Sequence, residues 1–220
     1  MREYIDAATP EHPSLIDTDH VLERTLGVVN IPNVIWIDED GMIVRPAEPG
    51  WAGPAEYPTW LADLMAERER QAAEKGEEAL AALRAGQDRN SYADAIRDWA
   101  ANGASSPFAM SPDDVVTASR PRDITRSEAA ARFELGVDAW RRGDRESAFE
   151  HWRATHRLEP DNWTYKRQAW SLVGNEAAGG GELGRLMQFG IDDSWPFDGD
   201  FNRDTAATPP GTYYPKTINL

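Results

Sequence analysis

Four histidines, one glycine-rich run and one run of alternating acidic residues are the features whose types and spacing could do chemistry in this chain. His151 and His156 are spaced so that they fall on different faces of one helix, and spacing alone gives them no shared metal. His12 lies far from both, and His20, near the start of a short helix, reads as a surface residue. Gly179-Gly180-Gly181-Glu182-Leu183-Gly184 matches G-x-G-x-x-G in form. A dinucleotide site needs that motif between a strand and a helix, so that a helix N-terminus meets the pyrophosphate. Here a helical pattern precedes it, and the run reads as a loop. Asp198, Asp200, Asn202 and Asp204 alternate as the first ligands of a calcium loop do, yet Arg203 and Pro209 stand where that loop needs glycine and glutamate. They read as a solvated acidic tail. No serine sits in a G-x-S-x-G elbow. The chain contains no cysteine, which excludes disulfides, thiolate metal sites and a cysteine nucleophile. No catalytic residue, metal or cofactor is expected.

Composition narrows the partners. The 38 acidic and 23 basic residues give a formal net charge of −15, a surface that repels phosphate backbones. The nearest basic patch, Arg141-Arg142 and Arg145, is interrupted by Asp144 and Glu146. Nucleic acid is therefore not an expected partner. The N-terminal stretch carries Asp6, Glu11, Asp17, Asp19 and Glu23 with no apolar core, so no signal peptide is expected. No window approaches the roughly 18 apolar residues of a membrane span. A cytoplasmic protein is the expectation. Nine tryptophans and a hydrophobic content of 40% are enough to build a core.

The elements come next. Residues 2–8 read as the end of a helix, and Ser14-Leu15-Ile16-Asp17 as a short apolar strand. Thr18 or Asp19 would cap a helix over His20 to Leu26, with Gly27 at its C-terminus. Asn30-Ile31-Pro32 leads into the β-branched run Asn33-Val34-Ile35-Trp36-Ile37. Asp38-Glu39-Asp40-Gly41 then turns the chain into Met42-Ile43-Val44-Arg45, so the stretch reads as a β-hairpin. Prolines and glycines between Pro46 and Pro58 mark an irregular connection. A helical pattern follows from Thr59 to Ala85, and a second through Tyr92, Ala95, Ile96 and Trp99. Residues 104–124, rich in Ser-Pro and Arg-Pro steps, read as a linker with a short turn near Asp113 to Ala118. Helices resume from Thr125 to about Val173. In the tail, Trp195, Phe197, Phe201, Tyr213 and Tyr214 are candidates to dock on the body.

Residues 1–50 resemble the second half of a thioredoxin fold, closest to redoxins of the TlpA/ResA type. The order helix, strand, helix, proline loop, strand, turn, strand carries the likeness, and Asp38-Glu39-Asp40-Gly41 echoes the hairpin turn of those redoxins. The resemblance implies a cis bond at Ile31-Pro32 and a docking edge for an extended peptide at Asn30, Ile31 and Pro32. It implies no catalytic residue, because the family's Cys-x-x-Cys has no counterpart in this sequence.

A second resemblance, to a tetratricopeptide repeat, covers residues 125–190. With Pro160 as the last-turn proline, Leu135-Gly136 falls on the repeat's Leu-Gly pair, Ala148 on its small position and Trp152 on its large aromatic one. Gly136 and Ala148 allow two helices to approach closely, with Phe133, Val137 and Trp140 facing Phe149 and Trp152, and Gly143-Asp144 making the turn. Such aromatics belong to a core or line a peptide groove, and Trp140 and Trp152 are the groove candidates. The fold class expected is a partial α/β sheet in residues 1–50, connecting helices in 51–103, the linker 104–124, the repeat-like helices 125–190 and the tail 191–220, with helix in the majority. The function expected is a non-catalytic thioredoxin-superfamily protein acting through a protein partner. The alternative is the C-terminal portion of a redoxin-type oxidoreductase whose active site lies upstream of Met1 or in a partner.

Overall fold

The computed structural model describes residues 6–7, 9–50, 59–81, 90–119, 122–181, 188–190 and 192–208. Among them the chain is mainly helical, with one two-stranded antiparallel sheet. The elements are α1 (Val21–Leu26), β1 (Asn33–Ile37), β2 (Ile43–Pro49), α2 (Thr59–Lys75), α3 (Asn90–Asn102), a 3-10 turn (Gly103–Ser105), α4 (Pro112–Ser119), α5 (Ile124–Arg141), α6 (Arg145–Leu158), α7 (Trp163–Ala177) and α8 (Phe201–Ala207). Most of the stretch expected as an N-terminal helix, and Tyr213 and Tyr214 of the tail, lie outside the described residues.

Around α1 the structure matches some of the local signals and departs from others. Ser14-Leu15-Ile16-Asp17 is not a strand: Leu15 is 91% and Ile16 58% exposed, and no neighbouring strand is there to pair with them among the described residues. Asp17, not Thr18 or Asp19, caps the helix, its carboxylate accepting the N–H groups of Val21 and Leu22 at 2.8 Å each. Gly27 closes α1 as expected, donating to the Glu23 carbonyl at 2.8 Å. His20 is not a free surface residue. Its ring lies edge-on to Phe133 at 4.9 Å and its Nδ1 is 2.9 Å from Glu134 Oε1.

The hairpin forms where the turn chemistry puts it. Asp38 Oδ1 accepts from the backbone N–H of Asp40 and Met42 at 3.1 and 2.8 Å, and the strands pair from Asn33 opposite Pro49 to Ile37 opposite Ile43. Two strands alone are barely stable in water, so the hairpin needs support. Trp36 supplies it: 2% exposed, it stacks on Trp99 at 5.0 Å and donates its indole N–H to Tyr92 Oη at 2.9 Å. Tyr92 donates in turn to Glu48, which Arg45 grips through Nε at 2.8 Å and Nη2 at 3.1 Å. Arg45 Nη1 reaches the Phe108 carbonyl at 2.6 Å, and Met110 donates to the Val44 carbonyl at 3.1 Å. Residues 108–110 of the expected linker are thus built onto β2, and α4 follows where only a short turn was expected. The helix expected through Ala85 is interrupted at Gly76, whose φ of +114° no L-residue adopts cheaply, and resumes over residues 77–81, while residues 82–85 lie outside the described set.

The larger core belongs to α5, α6 and α7. Phe133, Ala148, Trp152 and Ala169 have no exposed surface, and Tyr165 and Trp170 keep 1% each. Gly136 is what lets α5 and α6 touch: a Cβ there would lie 2.5 Å from both Cδ1 and Nε1 of Trp152. The helix pair faces as expected, with Trp140 5.4 Å from Trp152 and 6.2 Å from Phe149, while Leu135 points outward at 52% exposure. Carboxylate and amide caps punctuate this region, Asp144 on Ser147 and Asn162 on Tyr165. The tail docks through Phe197, 8% exposed between Phe149 and His156, with Trp195 and Phe201 packed beside it.

Candidate functional site

The Asn30-Ile31-Pro32 loop connects α1 to β1. Its Ile31-Pro32 bond is cis. Asn30 is 4% exposed and its Oδ1 accepts the Ile31 N–H at 2.9 Å, while Asn33 Nδ2 donates to the Asn30 carbonyl at 3.4 Å. The loop therefore satisfies much of its own backbone, and presents Ile31, 57% exposed, beside Pro32 at the surface. Trp140 and Trp152 sit elsewhere, inside the α5–α6 pair. Trp152 is fully buried and has no surface to offer a peptide. Trp140 is half-buried, and the Arg145 guanidinium lies 3.7 Å from its ring centroid, held there by Glu176. As placed, Trp152 is core and Trp140 packs against it. The proline loop lies elsewhere in the molecule.

A cavity of about 200 Å³ lies between the hairpin, α1 and the helices. Leu26, Val29, Ile35 and Ile43 make its apolar wall, and Glu23, Arg122, Arg126 and Glu159 its charged wall. Glu23, 3% exposed, accepts from Arg122 Nη2 through both oxygens at 3.1 Å, from Asn162 Nδ2 at 3.0 Å and from the Tyr165 hydroxyl. A carboxylate has about four acceptor positions, and these are filled. Glu23 is a clamp rather than a base. Asn162 Nδ2 also donates to Glu159 at 3.2 Å, so one amide bridges two buried carboxylates. Burial holds the Glu159 carboxyl above its usual range, and the Glu23 charge adds to this against the Asn162 bond. Burial likewise pushes the Tyr165 hydroxyl up, with its bond to Glu23 second. Thr164 completes the junction, its N–H donating to Val29 O and its hydroxyl to Val28 O, both at 3.1 Å.

Compared with family models, with curated proteins and with solved structures, the chain matches none. Both resemblances consequently rest on the residues that carry them.

Sequence reasoning missed the Glu23 junction, whose partners are separated by up to 142 positions. It also missed a cleft lined by Arg153, His156, Lys166 and Trp170. A signal for the cleft was present: Arg153, His156 and Arg157 recur at helical spacing on one face of α6, as Lys166 and Trp170 do on α7. The other notable sequence features are accounted for. Asp200 caps α8 through the Arg203 N–H at 2.9 Å and Asp204 accepts from Lys166 Nζ at 2.7 Å, so these oxygens serve the fold. Gly179 and Gly180 close the end of α7, donating to the Glu176 and Asn175 carbonyls, while residues 182–184 of the glycine motif lie outside the described set. Among the described residues no group of three or more His, Asp or Glu side chains is placed to hold a metal ion, and no helix is long and apolar enough to cross a membrane.

His156 gives a pH prediction. Burial, with the Lys166 charge next, pushes its imidazole down to about 3. The unfolded chain titrates near 6.5, so the folded state binds fewer protons between these values. Its contribution to stability is present above pH 6.5 and lost as pH falls toward 3, with a limiting slope of about 1.4 kcal/mol per pH unit. Glu159, with its raised folded value, acts in the opposite sense: its contribution is present at low pH and lost as pH rises. Urea unfolding of the wild type and His156→Gln at pH 7, 6 and 5 isolates the histidine, because Glu159 is common to both. The wild-type advantage should shrink steadily toward pH 5, and a flat difference would mean that the imidazole charges freely in the folded state.

Proposed function

We propose that this chain is a non-catalytic protein of the thioredoxin-like type that works by holding a protein partner at the Asn30-Ile31-Pro32 loop and the free edge of β1. The observation that carries this reading is the distribution of exposed apolar side chains. Leu15, Ile16, Ile31, Ile37 and Met42, all 53% exposed or more, belong to the segment around the hairpin. Among the described strands β1 pairs only with β2. An open edge flanked by apolar side chains is a template for an added strand. The helices α5 to α7 act as the mount, gripping α1 through Glu23 and leaving the loop outward. A chain without thiols performs no disulfide exchange itself.

A second reading draws on the same open edge: the chain is the C-terminal portion of a redoxin-type oxidoreductase, and the strand that completes the sheet carries the reactive thiols. One experiment addresses both. A photoreactive residue at position 31 or 37 should cross-link one defined protein in the source cells, and the same probe at the exposed Leu135 of α5 should not. A Cys-x-x-Cys pair in the cross-linked segment would favour the redoxin reading. Equal labelling from all three positions would remove the docking edge altogether. Insulin-disulfide reduction by the purified chain should be nil, and turnover would sink both readings.

A further inference from the structure

The cleft where α6, α7 and residues 198–204 meet has a charge opposite to that of the chain. Against a net charge of −15, four cationic side chains, from Arg153, Arg157, Lys166 and Arg203, converge on a volume of about 280 Å³. Two carboxylates line it. Asp204 is taken by Lys166 Nζ at 2.7 Å, and Arg203 Nη1 donates to the Asp198 carbonyl at 2.5 Å. Arg153 and Arg157 stand one turn apart on α6. Among the described residues neither forms an ion pair.

The second observation is independent of charge. Among the described residues, Arg153 Nε, His156 Nε2 and Trp170 Nε1 are buried without a hydrogen-bond partner, and all three residues line this cleft. Trp170 is 1% exposed, and its indole nitrogen is a donor only. So is Arg153 Nε. Buried donors are nearly always paired in folded proteins, and leaving them unmade is expensive. Two orphaned donors beside unpaired guanidinium groups ask for the same thing, an acceptor-rich anion.

We propose that this cleft binds a phosphate group, carried by inorganic phosphate or by a small phosphate monoester. Four cations against two carboxylates leave two positive charges, which a phosphate dianion neutralises. Its tetrahedral oxygens can receive the Trp170 and Arg153 donors together with the Arg157 fork, and its second negative charge matches the two positive charges that a single carboxylate would only half neutralise. The volume suits a small monoester rather than a dinucleotide.

The test follows the Trp170 indole N–H by nitrogen–proton correlation spectra of the full chain at constant ionic strength, with Trp170→Phe assigning the resonance. Inorganic phosphate, and glycerol 2-phosphate as the monoester, should shift this resonance to saturation, while chloride and acetate should leave it in place. Arg157→Ala, an exposed change that leaves the core intact, should weaken binding about tenfold or more. Arg153→Met should do the same while removing one orphaned donor. Tighter binding of glycerol 2-phosphate names the monoester as the source of the group, and tighter binding of inorganic phosphate names the free ion. A resonance that stays fixed up to tens of millimolar phosphate, that responds equally to acetate, or that shifts unchanged in Arg157→Ala would overturn the assignment.

Discussion

Gly136→Ala should destabilise the chain by about 1–3 kcal/mol, and Gly136→Val by more, although alanine is the better helix former by roughly 1 kcal/mol. The reason is the 2.5 Å between the new Cβ and two atoms of the Trp152 indole. That ring cannot retreat. It is fully buried, its N–H is spent on the Phe133 carbonyl at 3.3 Å, and Phe133, Trp140 and Phe197 surround it at 6.3, 5.4 and 6.5 Å. The helices α5 and α6 must therefore move apart, at the cost of dispersion contacts along their whole seam. Trp152→Ala removes the obstacle and leaves a cavity instead, costing about 3–5 kcal/mol alone. The two changes should not add. In the double variant the Gly136 methyl meets open space, so a coupling of about 1–3 kcal/mol in favour of the pair is expected from urea unfolding of all four proteins. Additive costs would show that the helices are held apart by something other than this contact.

Contacts of this kind are what the sequence makes legible. Gly136 and Ala148 sit at helical spacing opposite aromatics, and a small residue facing a large one states its own packing. The Asp38 turn and the Gly27 closure are equally local, since donor and acceptor lie within a few residues. Where a partner comes from far along the chain, reading failed. Leu15-Ile16 has the composition of a strand, but a strand also needs a neighbour, and composition does not say whether one exists. His20 looked like a surface residue until Glu134 and Phe133 met it. Trp140 and Trp152 show the limit for function: the pattern set them on facing helices and favoured core without excluding a groove, and burial, complete for Trp152 and partial for Trp140, places them in the seam. The cleft is the converse case. Arg153, His156 and Arg157 were visible as a stripe, yet a charged stripe reads as a solvated face until Lys166, Trp170 and Arg203 close over it.

Glu23→Ala should be the costliest polar change in the chain, at about 3–5 kcal/mol. The loss does not come from a single bond. Truncation leaves the Tyr165 hydroxyl without its acceptor, the Arg122 guanidinium without its carboxylate and the Asn162 amide with Glu159 alone, and the buried groups keep their desolvation cost. Glu23→Gln keeps the shape and one acceptor oxygen, so it should cost distinctly less. Helix α1 has only six residues and cannot persist on its own. The first consequence should thus be local: residues 20–29 lift away, and the Thr164 N–H loses its Val29 acceptor. Hydrogen exchange at Thr164 should then quicken in Glu23→Ala while the Trp152 core stays protected. Glu159 supplies an orthogonal readout. Its carboxyl is held up in part by the Glu23 charge, so its titration should move down when that charge is removed, in Glu23→Gln as in Glu23→Ala. Pairing Glu23→Met with Arg122→Met, which removes both charges at once, should recover part of the stability lost by Glu23→Ala. If Thr164 exchange and the Glu159 titration both stay unchanged in Glu23→Ala, the carboxylate is not what fastens the proline-loop hairpin to its helical mount.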